Sequence, residues 1–268
     1  MKMNNHSWQV NHDQNLTKEN LILLFENKIP TIRIKNFAHI NECENFARAI
    51  NWSETKKIMR YYSVKPKVGY VGTAQVEYRW GHDKKSYFNS VKKAWSDWNK
   101  IIDISWNPLK RFINLLEGVS EQKVSIAYEE GYGDLFAGII RKASNGIGRH
   151  VDYAPMNSPN YFIANIDAQL AWNLFVDSPE EGGVTTIYNK PWNVKVNKEE
   201  EPPNSYNLDN NHILNSEVFS YKPITGDVII FNSRNPHEVS AGNSQGSDRL
   251  QIGSFVGRLQ NKNMILWS

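Results

Sequence analysis

Six short apolar segments in the second half of the chain constrain the fold more than any other feature. Turn signals separate them, among them SPEEGG at residues 178–183 and the pair Thr225 and Gly226. Short strands with few helices between them favour an antiparallel double sheet or a barrel. The predicted strands are Lys123–Tyr128, Leu135–Arg141, Gln169–Asp177, Val184–Tyr188, Asp227–Asn232 and Leu250–Val256.

The first half of the chain has a mostly helical pattern. Residues 30–37 alternate apolar and polar side chains, which predicts one short strand. Asn41 is predicted to open a helix with Glu44 as its capping-box partner. Apolar residues then recur at three- and four-residue steps from Tyr87 to Leu116, so an amphipathic helix, broken before Pro108, is expected.

One domain over residues 1–268 is predicted, with residues 1–122 as a mostly helical buttress and residues 123–260 as a β core. Within that core, residues 193–215 are polar and rich in Asn, Glu and Pro. Such a stretch is typical of a long surface insertion, which could act as a lid or as a partner surface.

Charge and composition exclude several classes of protein. The chain has 31 basic and 28 acidic residues, a balance that does not indicate nucleic-acid binding. A single cysteine rules out an internal disulfide framework and a multi-cysteine metal site. Neither a signal peptide nor an apolar run of bilayer length is present, so a cytoplasmic protein without a membrane partner is expected. Oligomeric state is left open.

Two histidines and one aspartate form the candidate metal site. His150 and Asp152 belong to the segment GRHVD, and residues two apart on a strand share a face. His237 follows a second apolar segment and the turn SRNP. Two imidazoles and one carboxylate leave three metal positions open, which is the arrangement of non-haem iron(II) oxygenases.

Arg249 lies twelve residues after His237, at the start of the last predicted strand. A guanidinium facing into a barrel needs an anionic partner. The distal carboxylate of 2-oxoglutarate is a matching bidentate anion. The alternative is an ion pair with a protein carboxylate, either Asp248 or Asp227.

These four residues, within a segment from Val124 to Leu259, resemble the 2-oxoglutarate and iron(II)-dependent dioxygenase superfamily. The stretches 171–175 (AWNLF), 180–183 (EEGG) and 187–192 (IYNKPW) are similar to the branch that contains free-amino-acid hydroxylases and radical halogenases. The resemblance implies a mainly β fold with flanking helices around a double-stranded β-helix, the cupin-like jelly-roll.

The resemblance also implies a reaction. Iron(II) held by His150, Asp152 and His237 would be chelated by 2-oxoglutarate, and Arg249 would bind the distal carboxylate of this cosubstrate. Dioxygen would convert 2-oxoglutarate to succinate and CO2 while an unactivated C–H bond of the substrate is hydroxylated. Halogenases of this kind carry Gly or Ala in place of the carboxylate. Asp152 therefore favours hydroxylation.

A small substrate such as a free amino acid or its derivative is expected, because no module for recognising a carrier or a peptide is recognised in the sequence. A carrier-tethered substrate is the alternative. The ammonium group of a free amino acid would need an acidic partner and its carboxylate a basic one. Candidates are Glu129 and Glu130 for the first role, and Arg79, Trp80 and Arg141 for the remaining contacts. A structural or surface role is the alternative for each.

Three other functions remain open on the sequence alone. The same iron chemistry could give desaturation or ring closure. A non-catalytic jelly-roll could bind a ligand or a metal without turnover. A zinc hydrolase could use three protein ligands, although the chain lacks a His-Glu-x-x-His motif.

Overall fold

The computed structural model describes residues 7–52, 55–62, 67–78, 84–193, 199, 203–242 and 248–268. Helices dominate the first half and strands the second half, as expected. The helices are α1 (Lys18–Phe25), α2 (Ile40–Asn51), α3 (Lys84–Ile102), α4 (Pro108–Ser120) and the short α5 (Ala154–Asn157). The strands are β1 (Thr31–Ile34), β2 (Arg60–Tyr61), β3 (Gly69–Val71), β4 (Val124–Ile126), β5 (Tyr128–Glu129), β6 (Gly133–Asp134), β7 (Ile139–Lys142), β8 (Ile147–His150), β9 (Ala168–Asp177), β10 (Thr185–Tyr188), β11 (Val218–Tyr221), β12 (Val228–Phe231), β13 (His237–Val239), β14 (Leu250–Arg258) and β15 (Met264–Trp267).

The major sheet has nine strands among the described residues, with the main order β1-β12-β9-β14-β7-β3-β2. β14 also pairs with β15, and β15 pairs with β4. The long strands β9 and β14 run antiparallel at its centre over nine register pairs, from Leu250 opposite Asp177 to Arg258 opposite Ala168. Three strands from the predicted helical buttress, β1, β2 and β3, join this sheet.

The minor sheet has the order β11-β10-β13-β8. Apolar side chains fill the space between the two sheets. Phe175 and Phe231 come from the major sheet and meet Ile187 and Tyr221 from the minor sheet in one buried cluster. The two sheets are antiparallel except for the parallel pair β15 and β4. Sheets that face each other across such a core form the double-stranded β-helix, so the predicted fold class is confirmed.

Helices cover the outer face of the major sheet. Trp172 of β9 stacks on Phe112 of α4, with ring centroids 4.1 Å apart. Alternate residues of β9 therefore pack toward the helices and toward the minor sheet, which explains why nine of its ten residues are buried. The major sheet is therefore packed against helices on one face and against the minor sheet on the other. This packing positions the side chains that lie between the two sheets.

The predicted helices are present with shifted bounds. α2 begins at Ile40, and the backbone N–H of its N-cap His39 donates to Glu42 at 2.9 Å. The predicted cap at Asn41 with Glu44 was thus wrong by two residues. The helix predicted from Tyr87 to Leu116 is two helices, because α3 ends at Ile102 and Asn107 caps a new helix with Pro108 in its first turn.

The major sheet also contains a buried ion pair that supports a stability prediction. Arg33 of β1 donates to Asp227 at 3.0 Å and to Asp13 at 2.6 Å, and Asp227 also accepts from the N–H of Asn36 at 2.9 Å. Asp227→Asn is expected to lower the free energy of unfolding by about 2–3 kcal/mol in urea titrations, because removal of one partner leaves part of a buried charge uncompensated.

The control for this variant is Asp167→Asn, which removes the partner of Arg258 at 2.8 Å on the surface. Surface pairs contribute about 1 kcal/mol or less. Equal losses of stability in both variants would contradict the importance of burial at Asp227.

Candidate metal centre

Two neighbouring strands of the minor sheet bring the histidines together. His150 is the last residue of β8 and His237 is the first residue of β13, and the two are register partners. Their ring centroids lie 4.1 Å apart. Asp152 lies beyond the end of β8, so the expectation that His150 and Asp152 share a strand face was wrong. The N–H of Asp152 instead donates to the carbonyl of Ser233 at 3.0 Å.

The three side chains converge on one point. Asp152 Oδ2 lies 3.5 Å from His150 Nε2 and 3.7 Å from His237 Nε2. One potential ligand atom from each residue lies within 4.8 Å of the other two. All three residues are buried, with at most 8% of their surface exposed. This donor set suits a divalent ion with open positions on one side.

Backbone carbonyls fix the orientation of both imidazoles. His150 Nδ1 lies 2.7 Å from the carbonyl of Gly148, and His237 Nδ1 lies 2.9 Å from the carbonyl of Asn235. A proton on each Nδ1 satisfies these carbonyls and leaves the Nε2 lone pair directed at the shared point. Contacts of this kind to the second ring nitrogen set the tautomer of metal-binding histidines.

The buried surroundings of His237 and Asp152 favour the protonation states that metal binding requires of these two residues. Burial and the nearby His150 lower the pKa of His237 to about 3, so its ring is neutral at physiological pH. Burial alone would raise the pKa of Asp152, but His150 and His237 outweigh it and the pKa falls to about 2. The carboxylate of Asp152 and the neutral ring of His237 are therefore present before any ion binds.

Two buried polar residues that the sequence did not single out support Asp152. The amide of Gln169 donates to the carbonyl of Asp152 at 3.0 Å and to the hydroxyl of Ser233 at 3.2 Å. Ser233 donates to the same carbonyl at 3.0 Å, and Gln169 accepts from the N–H of Ala154 at 2.7 Å. This network holds the backbone that carries the carboxylate.

Tyr206 approaches the same residues from the segment predicted to be an insertion. Its ring stacks on His150 at a centroid distance of 5.2 Å and an interplanar angle of 4°. Its hydroxyl donates to Asp152 Oδ1 at 3.3 Å. At least this part of the predicted insertion therefore belongs to the site.

Arg249 directly precedes β14 and is only 2% exposed. Its guanidinium donates to the carbonyl of Gly183 at 3.2 Å and to the hydroxyl of Thr185 at 3.1 Å, and it also donates to the side-chain carbonyl of Gln251. These acceptors are all neutral, and burial lowers the pKa of Arg249 to about 10.

The alternative of an ion pair with Asp227 or Asp248 is not observed. Asp227 is bound to Arg33, and Asp248 is 2.5 Å from Lys142. A buried guanidinium with only neutral acceptors is suited to an external carboxylate. Thr185, which holds it, lies two residues along β10 from Ile187, the register partner of His237. Two residues of strand span about 7 Å.

Arg141 of β7 also lies on the inner face of the major sheet. Its register partners are Tyr70 on β3 and Gln251 on β14. Burial alone would lower its pKa, but the phenol of Tyr62 and the carboxylate of Asp152 raise it. The guanidinium of Arg141 is thus close enough to Asp152 for the two charges to attract each other.

The other predicted substrate residues are bound to protein partners, exposed, or outside the described residues. Glu129 accepts from Lys84 at 2.5 Å and from the N–H of Phe162 at 2.7 Å, so both of its oxygens have protein partners. Glu130 is exposed in the turn after β5. Arg79 and Trp80 lie outside the described residues. Their proposed contacts with a substrate remain predictions.

The fold, the His-Asp-His cluster and the buried arginine together define a 2-oxoglutarate and iron(II)-dependent oxygenase. Residues 9–268 match the family model described as carrier-protein-independent halogenase WelO5, and the chain belongs to that family. No helix in the described part of the chain combines the length and hydrophobicity needed to span a bilayer.

Two relatives are similar over most of their length. The Leucinostatins biosynthesis cluster protein S of Purpureocillium lilacinum is 32% identical over 221 residues, which cover 78% of this chain and 89% of that protein. The L-gamma-glutamyl-L-propargylglycine hydroxylase of Streptantibioticus cattleyicolor is 26% identical over 204 residues, covering 74% of this chain and 73% of that protein.

A solved structure supports the fold. The N-substituted L-amino acid dioxygenase of Burkholderia ambifaria superimposes with a TM-score of 0.59 at 11% identity, covering 94% of this chain and 91% of that one. At this identity the likeness concerns the fold alone.

Proposed function

We propose that His150, Asp152 and His237 bind one Fe(II) and that Arg249 binds the distal carboxylate of 2-oxoglutarate. The single domain would hydroxylate a small amino-acid derivative. Bound iron supplies the oxidation: dioxygen and 2-oxoglutarate give succinate and CO2, and one oxygen atom enters a substrate C–H bond. The observation that carries this proposal is the convergence of Asp152 Oδ2 with both Nε2 atoms, at 3.5 and 3.7 Å.

Each residue has a defined part in this scheme. The two neutral imidazoles and the carboxylate reduce the charge of the bound cation by one unit and occupy three positions on one side of it. Arg249 is held by Gly183 and Thr185 before 2-oxoglutarate arrives, so little side-chain entropy is lost when the carboxylate binds.

Hydroxylation is favoured over halogenation by Asp152. Although the matched family model is named for a halogenase, this chain has a carboxylate between its two histidine ligands. The carboxylate takes the position that a halide would need. The similarity to a hydroxylase that acts on L-gamma-glutamyl-L-propargylglycine supports the same outcome.

Arg141 and one of the relatives support a proposal for the substrate class. Arg141 presents a cation on the inner sheet face beside the metal centre. A carboxylate on the substrate would complement it. The name of the similar hydroxylase specifies an N-acylated amino acid, L-gamma-glutamyl-L-propargylglycine. We therefore expect N-substituted or N-acylated amino acids with a free carboxylate.

This proposal is tested by a screen of pooled amino acids and their N-substituted derivatives. Anaerobically iron-loaded protein is mixed with 2-oxoglutarate and exposed to air, and succinate is quantified. We expect one pool to stimulate succinate formation and to contain a product with one added oxygen atom, labelled when ¹⁸O₂ is used. A chlorinated product in the presence of chloride would contradict the part assigned to Asp152.

Arg141→Gln tests the substrate contact. Loss of a charge-assisted hydrogen bond to the substrate carboxylate is expected to raise the substrate KM about 10- to 100-fold, while the requirement for 2-oxoglutarate changes little. Steady-state kinetics with the substrate found in the screen measures both quantities.

Arg111→Gln serves as the control because it also removes one partly buried arginine. Arg111 lies on α4, and its guanidinium donates to Glu42 of α2. Its kinetics should match those of the unaltered protein. An unchanged substrate KM in Arg141→Gln would remove Arg141 from the substrate site.

A further inference from the structure

Residues 205–208 continue the minor sheet beside the metal-ligand strand. The N–H of Val151 donates to the carbonyl of Ser205 at 2.9 Å, and the N–H of Leu208 donates to the carbonyl of Arg149 at 3.1 Å. His150 and Tyr206 face each other in an antiparallel bridge between these bonds. The segment is therefore tied by main-chain hydrogen bonds to the strand that carries His150.

Apolar packing holds the same segment from the other side. Leu208 is 7% exposed and forms a small buried cluster with Val151 and Met156. The N–H of Tyr206 donates to the side chain of Asn204 at 3.0 Å, which shapes the turn leading into it. The position of Tyr206 is therefore set by the main-chain hydrogen bonds and the apolar contacts of residues 204–208.

The two oxygens of Asp152 face different partners. Oδ2 points between the two Nε2 atoms, whereas Oδ1 accepts from the hydroxyl of Tyr206 at 3.3 Å. This hydrogen bond is longer than a typical one between a hydroxyl and a carboxylate. The parallel stacking of the Tyr206 ring on His150 limits how far the hydroxyl can move away from Asp152 Oδ1.

We propose that Tyr206 is a positioning residue that keeps Asp152 bound to the metal through Oδ2 alone. This inference rests on the proposed function, because it assumes that the three residues bind the metal. A six-coordinate ion with three single-atom protein ligands has three positions left. A chelating 2-oxoglutarate takes two of them. If Asp152 used both oxygens, it would occupy the last position.

The test uses Tyr206→Phe, which keeps the ring on His150 and removes only the hydroxyl. Mn(II) is the probe, and the proton relaxation rate of water reports whether the bound ion keeps an exchangeable water. With 2-oxoglutarate present, the unaltered protein should retain one such water. In Tyr206→Phe we expect the relaxation enhancement to fall to the level of a complex without coordinated water.

Activity gives a second readout. Succinate formation by the iron-loaded Tyr206→Phe protein is expected to slow about 10- to 100-fold, the usual effect of removing a hydrogen-bond partner of a metal ligand. Tyr188→Phe is the matched control, since the Tyr188 hydroxyl also donates to a carboxylate, that of Glu238, which is not a predicted ligand. Both readouts of this control should match those of the unaltered protein.

The outcomes separate the two proposals. If the unaltered protein binds neither Mn(II) nor 2-oxoglutarate, the proposed function fails and this inference fails with it. If the unaltered protein binds both and Tyr206→Phe gives the same water relaxation and the same succinate rate, only the part assigned to Tyr206 is overturned.

Discussion

Replacing His237 by alanine is expected to abolish succinate formation from 2-oxoglutarate and to lower iron affinity by more than about a hundredfold. Loss of a hydrogen-bond partner of a ligand already costs about 10- to 100-fold in affinity, and loss of the ligand itself should cost more. Among the histidines that the structure describes, His150 and His237 are the two directed at the site, so no described neighbour can replace the Nε2 atom of His237. Iron content after dialysis and succinate yield measure the two effects.

The fold is expected to survive this change, because His237 begins a short strand whose other pairing with β10 remains in place. His212→Ala is the control. His212 is a partly exposed imidazole that contacts Asp209 and does not belong to the metal-binding cluster. Circular dichroism of both variants should match the unaltered protein. Undiminished succinate formation by His237→Ala would refute the ligand assignment.

Replacing Arg249 by glutamine is expected to weaken 2-oxoglutarate binding by at least about a hundredfold. Removal of one partner from a buried charge pair costs about 3–5 kcal/mol, and each factor of ten corresponds to about 1.4 kcal/mol. Arg249 is 2% exposed and has only neutral protein acceptors, so the cosubstrate carboxylate would be its anionic partner. Anaerobic titration of the Fe(II) protein with 2-oxoglutarate measures the dissociation constant.

Thermal unfolding gives an independent check. A ligand at a hundred times its dissociation constant stabilises the folded state by about 2.7 kcal/mol, so 2-oxoglutarate should raise the Tm of the metal-loaded protein but not that of Arg249→Gln. Arg249→Lys keeps the charge and loses the planar fork, and intermediate binding is expected. Equal losses of affinity for 2-oxoglutarate and for the substrate would mean that Arg249 only supports the fold.

The fold and the metal cluster could be predicted from the sequence because both have local signals. Strand β9 was predicted within one residue, since nine consecutive buried residues give a long apolar segment bounded by turns. His150 and Asp152 are close in sequence, and the number of histidines is small enough to find His237. Arg249 could be placed because it directly precedes the apolar strand β14.

The support around the site had no such signal. Gln169 lies in a strand whose pattern indicates only core packing, and its contact with Asp152 spans 17 residues of sequence. Tyr206 lies in a polar segment that resembles a surface loop. Its position depends on the pairing of this segment with β8, and its contact with Asp152 spans 54 residues of sequence. Long-range pairing of this kind is decided by tertiary structure.

The geometry of Asp152 also depended on the tertiary structure. The spacing His-x-Asp suggested a shared strand face, yet β8 ends at His150. The carboxylate reaches the metal position because Ser233 and Gln169 hold the backbone after the strand. The prediction that Asp152 reaches the same point as His150 was correct. The reason given for it, that both residues lie on one strand, was wrong.

The most direct test of the central claim is an anaerobic titration of the apoprotein with Fe(II) and 2-oxoglutarate, followed by exposure to air and quantification of succinate. We predict one iron and one 2-oxoglutarate bound per chain, with succinate formation that requires both and disappears in His237→Ala. Succinate formation that persists without added iron, or an apoprotein that binds neither component, would contradict the assignment of His150, Asp152 and His237 as an oxygenase metal centre.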